Sequence, residues 1–145
     1  MNNRYLYKAK RKDNGEWVEG NILQSDDRYY IVLEFGISCI EKNKNQTGNN
    51  MITLYAFEVD PSTICQCTGK CDNTRTKEFP EGKLIFEHDI VAFLDTYSTE
   101  SGRTEQGCIG EVLWDDEDLC FYITERLSAE SYEVLNDCKV IGNIL

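Results

Sequence analysis

Polar and apolar residues alternate along Arg4-Tyr5-Leu6-Tyr7-Lys8-Ala9-Lys10-Arg11, the period of two that sends successive side chains to opposite faces of a strand. Asp13-Asn14-Gly15 follows, three residues that tolerate a positive φ, and Trp17 to Leu23 resumes a β-rich run. The pattern predicts a hairpin. Ser25-Asp26-Asp27 predicts the next turn, Tyr29 to Phe35 a strand rich in aromatic and β-branched residues, and Gly36 a break before a short run from Ile37 to Ile40. Residues 42–50 contain no apolar side chain and predict a loop. Met51 to Val59 reads as a strand. Asp60-Pro61-Ser62-Thr63 reads as a turn, because proline fixes φ and lacks a donor.

A module boundary near that turn separates a first region, 1–59, from a second, 60–145, with one integrated domain as the alternative. The second region opens with a polar stretch, 72–82, punctuated by Pro80 and Gly82. Strands are then expected over Lys83–Phe86, Ile90–Leu94, Cys108–Trp114, Leu119–Thr124 and Val140–Ile144, with a loop from Asp95 to Gly107. Ser128–Leu135 is the one helical candidate, capped by Ser128 and carrying Glu130 in its first turn. The expected fold is therefore mainly β, antiparallel strands in a small barrel or roll, with little helix.

Composition supports a folded chain: of 145 residues 41% are hydrophobic, enough apolar surface to offset chain entropy without disulfides. Seven cysteines are an odd number, and Met1 is followed by Asn2, Asn3 and Arg4 with no apolar core. Reduced thiols in the cytoplasm are expected, and no apolar run approaches the ~20 residues needed to cross a bilayer. Charge is divided unevenly. Residues 1–50 hold eight Lys or Arg against seven Asp or Glu, and residues 51–145 hold seven against nineteen. The net charge of -11 repels phosphate backbones and anionic lipid at long range, which disfavours both as general partners.

One stretch departs from generic β sequence: Pro61-Ser62-Thr63-Ile64-Cys65-Gln66-Cys67-Thr68-Gly69, then Asp72, then Ile85-Phe86-Glu87-His88-Asp89-Ile90-Val91. It resembles the signature of the YopX family of phage and prophage proteins. That signature runs roughly Thr-Val-Gly-Gln-Phe-Thr-Gly-Leu-x-Asp-x-x-Gly and then Ile-Tyr-Glu-Gly-Asp-Ile-Val. The basic aromatic start (Arg4, Tyr5, Tyr7), Trp17 with Gly20, and the closing Val140-Ile141-Gly142-Asn143-Ile144 fit the same pattern. Cys65 stands where Gly is usual, Cys67 where an aromatic is usual, and His88 where Gly is usual, so the cysteines are local substitutions and His88 strains a turn that Gly would accept. The resemblance implies an SH3-type roll in the second region, a bacterial host cytoplasm, and an accessory protein without catalytic activity. Such a protein acts through contacts with a phage or host protein, or as a homo-oligomer. Gln66, Thr68, Asp72 and Asp89 suit hydrogen bonding to turn backbone and Gly69 suits a bend, with Gly142 and Asn143 completing the structural motif.

Other chemistry competes with that reading. Cys65, Cys67 and Cys71 are spaced closely enough for zinc thiolates, with His88, Cys108, Cys120 or Cys138 as the fourth ligand, yet no Cys-x-x-Cys pairing supports a metal. His88, the sole imidazole, lacks a nucleophile context, and Asp115-Asp116-Glu117-Asp118 lacks the alternation of a calcium loop. Neither a catalytic site nor a cofactor motif is expected. Lys8, Lys10, Arg11 and Lys12 with Tyr5, Tyr7 and Trp17 form the nucleic-acid candidate, in which aromatics stack bases and cations meet phosphates. The alternative is an edge strand protected by its lysines, with the aromatics turned to the core.

Overall fold

The computed structural model describes residues 5–39, 50–126 and 137–145. Arg4, Ile40, the loop expected over 42–49 and the helix expected over Ser128–Leu135 lie outside the described residues. The chain is mainly β and antiparallel, and it divides into two compact units, Leu6–Ile64 and one built on Cys65–Leu145.

The first unit is a meander of four strands in the order β4-β3-β2-β1: β1 (Tyr7–Lys10), β2 (Trp17–Ser25), β3 (Arg28–Cys39) and β4 (Asn50–Val59). Gly15, at a φ of 73°, turns the β1–β2 hairpin, and Asp26, at 55°, turns the two-residue link from β2 to β3. Tyr7, Ala9, Val18, Ile22, Tyr29, Ile31, Val59 and Ile64 form one apolar cluster, the face that alternation assigns to the core. Gly20 is required where it stands, since a Cβ there would sit 2.3 Å from the carbonyl oxygen of Val32. Gly36 does not break β3. It pairs with Thr53, because the ladder to β4 supplies the backbone partners that propensity alone would not. The irregularity falls instead between Val32 and Glu34. Asn50, expected in the loop, begins β4. The unit closes on a 3-10 turn, Pro61–Thr63, capped by Asp60, whose carboxylate accepts from Ser62 N at 3.0 Å.

The second unit pairs β5 (Cys65–Cys71) with β6 (Leu84–Phe86). It also holds a four-stranded sheet in the order β10-β7-β8-β9, built from β7 (Asp89–Thr99), β8 (Gly102–Asp115), β9 (Cys120–Ile123) and β10 (Cys138–Asn143). Pairing among the described residues leaves this sheet open, with β10 and β9 at its edges. Its core is Ile85, Val91, Phe93, Val112, Ile123 and Cys138, flanked by Cys108, Phe121 and Val140. The loop expected over Asp95–Gly107 is instead a continuous ribbon in which every residue from Asp95 to Thr99 pairs with one from Gly102 to Gln106. Thr96, Tyr97, Thr99 and Thr104 carry the β propensity, while its polar, largely exposed faces remove the apolar alternation that marks a half-buried strand. The Cys65–Cys71 strand also exceeds expectation. Gln66 and Thr68 lie in a strand rather than in a turn, and the bulge between Cys67 and Cys71 takes Gly69 at a φ of 82°.

Candidate functional site

Two buried carboxylates organise the second unit. Asp72, 1% exposed, accepts hydrogen bonds from Val140 N at 2.9 Å, Lys83 N at 2.8 Å, Thr74 N at 2.9 Å and the Thr74 hydroxyl at 3.0 Å. It thereby ties both ends of the 72–82 stretch to β10. Burial disfavours its charge and is the largest single influence, but the four donors together prevail and hold the carboxyl below the ordinary Asp range. Asp89, also 1% exposed, spans the turn between β6 and β7. One oxygen accepts from Phe86 N at 2.8 Å and the other from Asn143 Nδ2 at 2.9 Å, which also donates to the carbonyl of Glu87 at 3.3 Å.

His88 holds the third position of that turn at a φ of 67°, the left-handed region that costs an L-residue roughly 1–2 kcal/mol. The backbone around it is fixed on three sides: Glu87 N donates to Gln66 O at 2.9 Å, His88 N to Val112 O at 2.7 Å and Ile144 N to His88 O at 3.0 Å. The imidazole lies between Glu111, 3.3 Å from Nδ1, and Glu87, 3.7 Å from Nε2. Thr68 donates its hydroxyl to the carbonyl of Ile85 at 2.9 Å, and Gly142 follows the register shift after Val140. Asp89 and Asn143 thus meet directly, by side chain and as register partners, whereas Gln66, Thr68 and Asp72 bind the backbone of other residues.

The cysteines are dispersed by the fold. Cys65, Cys67 and Cys138 are fully buried, Cys71, Cys108 and Cys120 partly so, and no group of three or more His, Cys, Asp or Glu among the described residues is arranged to hold a metal ion. Burial, then the charges of Asp72, Asp89 and Asp137, raise the Cys138 thiol to about 11. The acidic turn is occupied internally: Asp115 Oδ1 accepts from Glu117 N at 2.8 Å and Asp118 N at 3.2 Å, and Asp116 accepts from the Trp114 indole at 2.9 Å.

The basic start is divided between two environments. Lys8 and Lys10 place their ammonium groups 5.0 and 5.3 Å from the centroid of Trp17, within the range of cation–π attraction. Arg11 instead pairs with Asp13 and stacks 3.7 Å from Phe57, and Lys12 binds Glu58 at 3.1 Å. The aromatics do not all turn inward, as the edge-strand alternative expected. Tyr7 joins the core cluster, but Trp17 is 37% and Tyr5 73% exposed, since the alternation that buries Ala9 and Val18 sends Lys8, Lys10 and Trp17 outward.

A surface that composition did not single out lies on the outer face of the β7–β8 hairpin. Ala92 pairs with Ile109, Leu94 with Gly107 and Thr96 with Glu105, and these residues line a shallow concavity of about 800 Å³. Leu94 and Ile109 are 64% and 60% exposed there. The signal available in the sequence was the alternation of Val91 and Phe93 with Ala92 and Leu94, which requires one apolar set to face away from the core. Among the described residues no helix is long and apolar enough to cross a membrane. No family model, curated protein or solved structure matches the chain.

Proposed function

We propose that the chain is an accessory protein of phage or prophage type that acts by binding a phage or host protein in the bacterial cytoplasm, without a catalytic step of its own. The YopX-like sequence motif supports the type. The observation that carries the binding role is the outer face of the β7–β8 hairpin, where Leu94 and Ile109 stand exposed on either side of Gly107. Neighbouring large apolar side chains on a solvent-facing sheet surface are what a protein partner buries. The concavity offers shape, and Glu105 supplies polar recognition at its rim. The SH3-type roll that the family resemblance implies would place this hairpin as the longest part of the roll.

The test is affinity capture from infected bacterial cells, comparing the tagged wild-type chain with Leu94→Lys/Ile109→Lys. The variant is expected to melt like wild type, because both residues are exposed, and to lose a partner that wild type retains. Equal recovery of that partner by a folded variant contradicts the role of this face.

A further inference from the structure

The outer face of the first unit is chemically unlike the rest of the molecule. Register places Lys8 and Lys10 beside Glu19 and Trp17, and farther along the same face Leu23 beside Tyr30 and Tyr30 beside Glu58. Lys12 reaches this face through Glu58, and register places Arg28 on it, opposite Ser25. Four cations therefore meet three carboxylates, Glu19, Glu58 and Asp60, around exposed Trp17 and Leu23, which leaves a small positive surplus in a chain whose net charge is -11. A face of that sign attracts an acidic segment, and the aromatic and apolar residues between the cations offer burial to an apolar side chain carried with it.

The chain itself presents such a segment. Between β8 and β9, Asp116, Glu117 and Asp118 are exposed and are followed by Leu119, which is 71% exposed and held at a φ of 52°. The hydrogen bonds from Glu117 N and Asp118 N to Asp115 fix this turn in shape, so little ordering entropy opposes its docking. We propose that the acidic turn Asp116–Leu119 of a second copy docks on the Lys8–Lys10–Trp17 face of the first unit. This head-to-tail contact joins two different surfaces of the same chain. It does not depend on the outer face of β7–β8, and it explains how copies that each carry -11 can associate: local complementarity acts at contact, where the repulsion between whole molecules is screened by salt.

Sedimentation velocity of the full chain at an ionic strength of about 0.1 M, where the Debye length is about 10 Å, tests it with Lys8→Gln/Lys10→Gln and with Glu117→Lys/Asp118→Lys. Wild type is expected to self-associate there and to weaken as salt is raised further. Each variant alone is expected to lose about tenfold or more in association. Mixing the two variants is expected to restore a dimer, since each supplies the surface the other has lost. A wild-type monomer at every concentration overturns the proposal, as do variants that associate like wild type or a mixture that stays monomeric. Salt-dependent binding of a single-stranded oligonucleotide that requires Lys8 and Lys10, without self-association, overturns it in favour of a nucleic-acid face. Capture by the Leu94 and Ile109 surface is read separately, so the two surfaces fail or succeed independently.

Discussion

At the scale of single residues, the motif around Asp72 and Asp89 is a set of hydrogen-bonding anchors, and its cost is concentrated at His88. A left-handed φ of 67° suits Gly and tolerates His, whereas a β-branched side chain there is a true outlier. His88→Gly is expected to melt at or slightly above wild type, since relief of backbone strain offsets the added chain entropy and the lost contact with Glu111. His88→Val is expected to lose roughly 1 kcal/mol or more. Thermal denaturation of both variants checks the order, and a Val variant as stable as the Gly variant contradicts it. Asp72 gives a pH signature. Its folded carboxyl titrates below the unfolded value of about 3.9, so its stabilisation is complete above that value and is lost as pH falls through the folded one. Below about pH 4 the melting temperature of wild type should therefore fall more steeply than that of Asp72→Asn. Parallel acid limbs would show that Asp72 contributes no such linkage.

At the scale of elements, the β7–β8 ribbon divides into a buried base and an exposed end. At the base, Asp95 is 3% exposed and receives Arg126 Nε at 3.1 Å, while the Arg126 guanidinium lies 5.8 Å from Phe93. Arg126→Ala removes one partner of that carboxylate, which Thr96 N still serves at 3.0 Å, and should cost roughly 1–3 kcal/mol in urea denaturation. At the other end, Tyr97 and Thr104 are register partners, so replacing residues 98–103 by Asn-Gly keeps the pairing and should change stability by less than about 0.5 kcal/mol. Equal losses would contradict the division. This ribbon also marks how far the sequence is legible. Strands with one buried face, such as Tyr7–Lys10 and Ile90–Leu94, announce themselves by alternation, and turns by Gly15, Asp26 and Pro61. A ribbon exposed on both faces has no such signal, and Cys65–Cys71 hides one because its Gly69 bulge interrupts the period. The hydrogen-bonding types of Asp72 and Asp89 were readable, but not their partners, since Val140 and Asn143 arrive from 68 and 54 residues away.

At the scale of the whole molecule, buried polar chemistry and exposed apolar chemistry are separated: the motif carboxylates are engaged internally, and Leu94, Ile109, Trp17 and Leu23 stand exposed on outward sheet faces. The thiols follow the same division. Alkylation of the native chain near pH 8 should spare Cys65, Cys67 and Cys138 and modify Cys71, Cys108 and Cys120 first, because reaction requires an accessible thiolate and the Cys138 thiol is raised to about 11. Peptide mass spectrometry reads the order, and early labelling of Cys138 contradicts it. The central claim, that the motif braces the fold and leaves binding to the surface, is tested most directly by urea denaturation of wild type, Asp89→Ala, Asn143→Ala and the double variant. Asp89→Ala should lose about 2–3 kcal/mol, since Phe86 N and Asn143 Nδ2 lose their shared acceptor, and the double variant should lose less than the sum of the single ones. A denaturation midpoint for Asp89→Ala equal to that of wild type would contradict the claim.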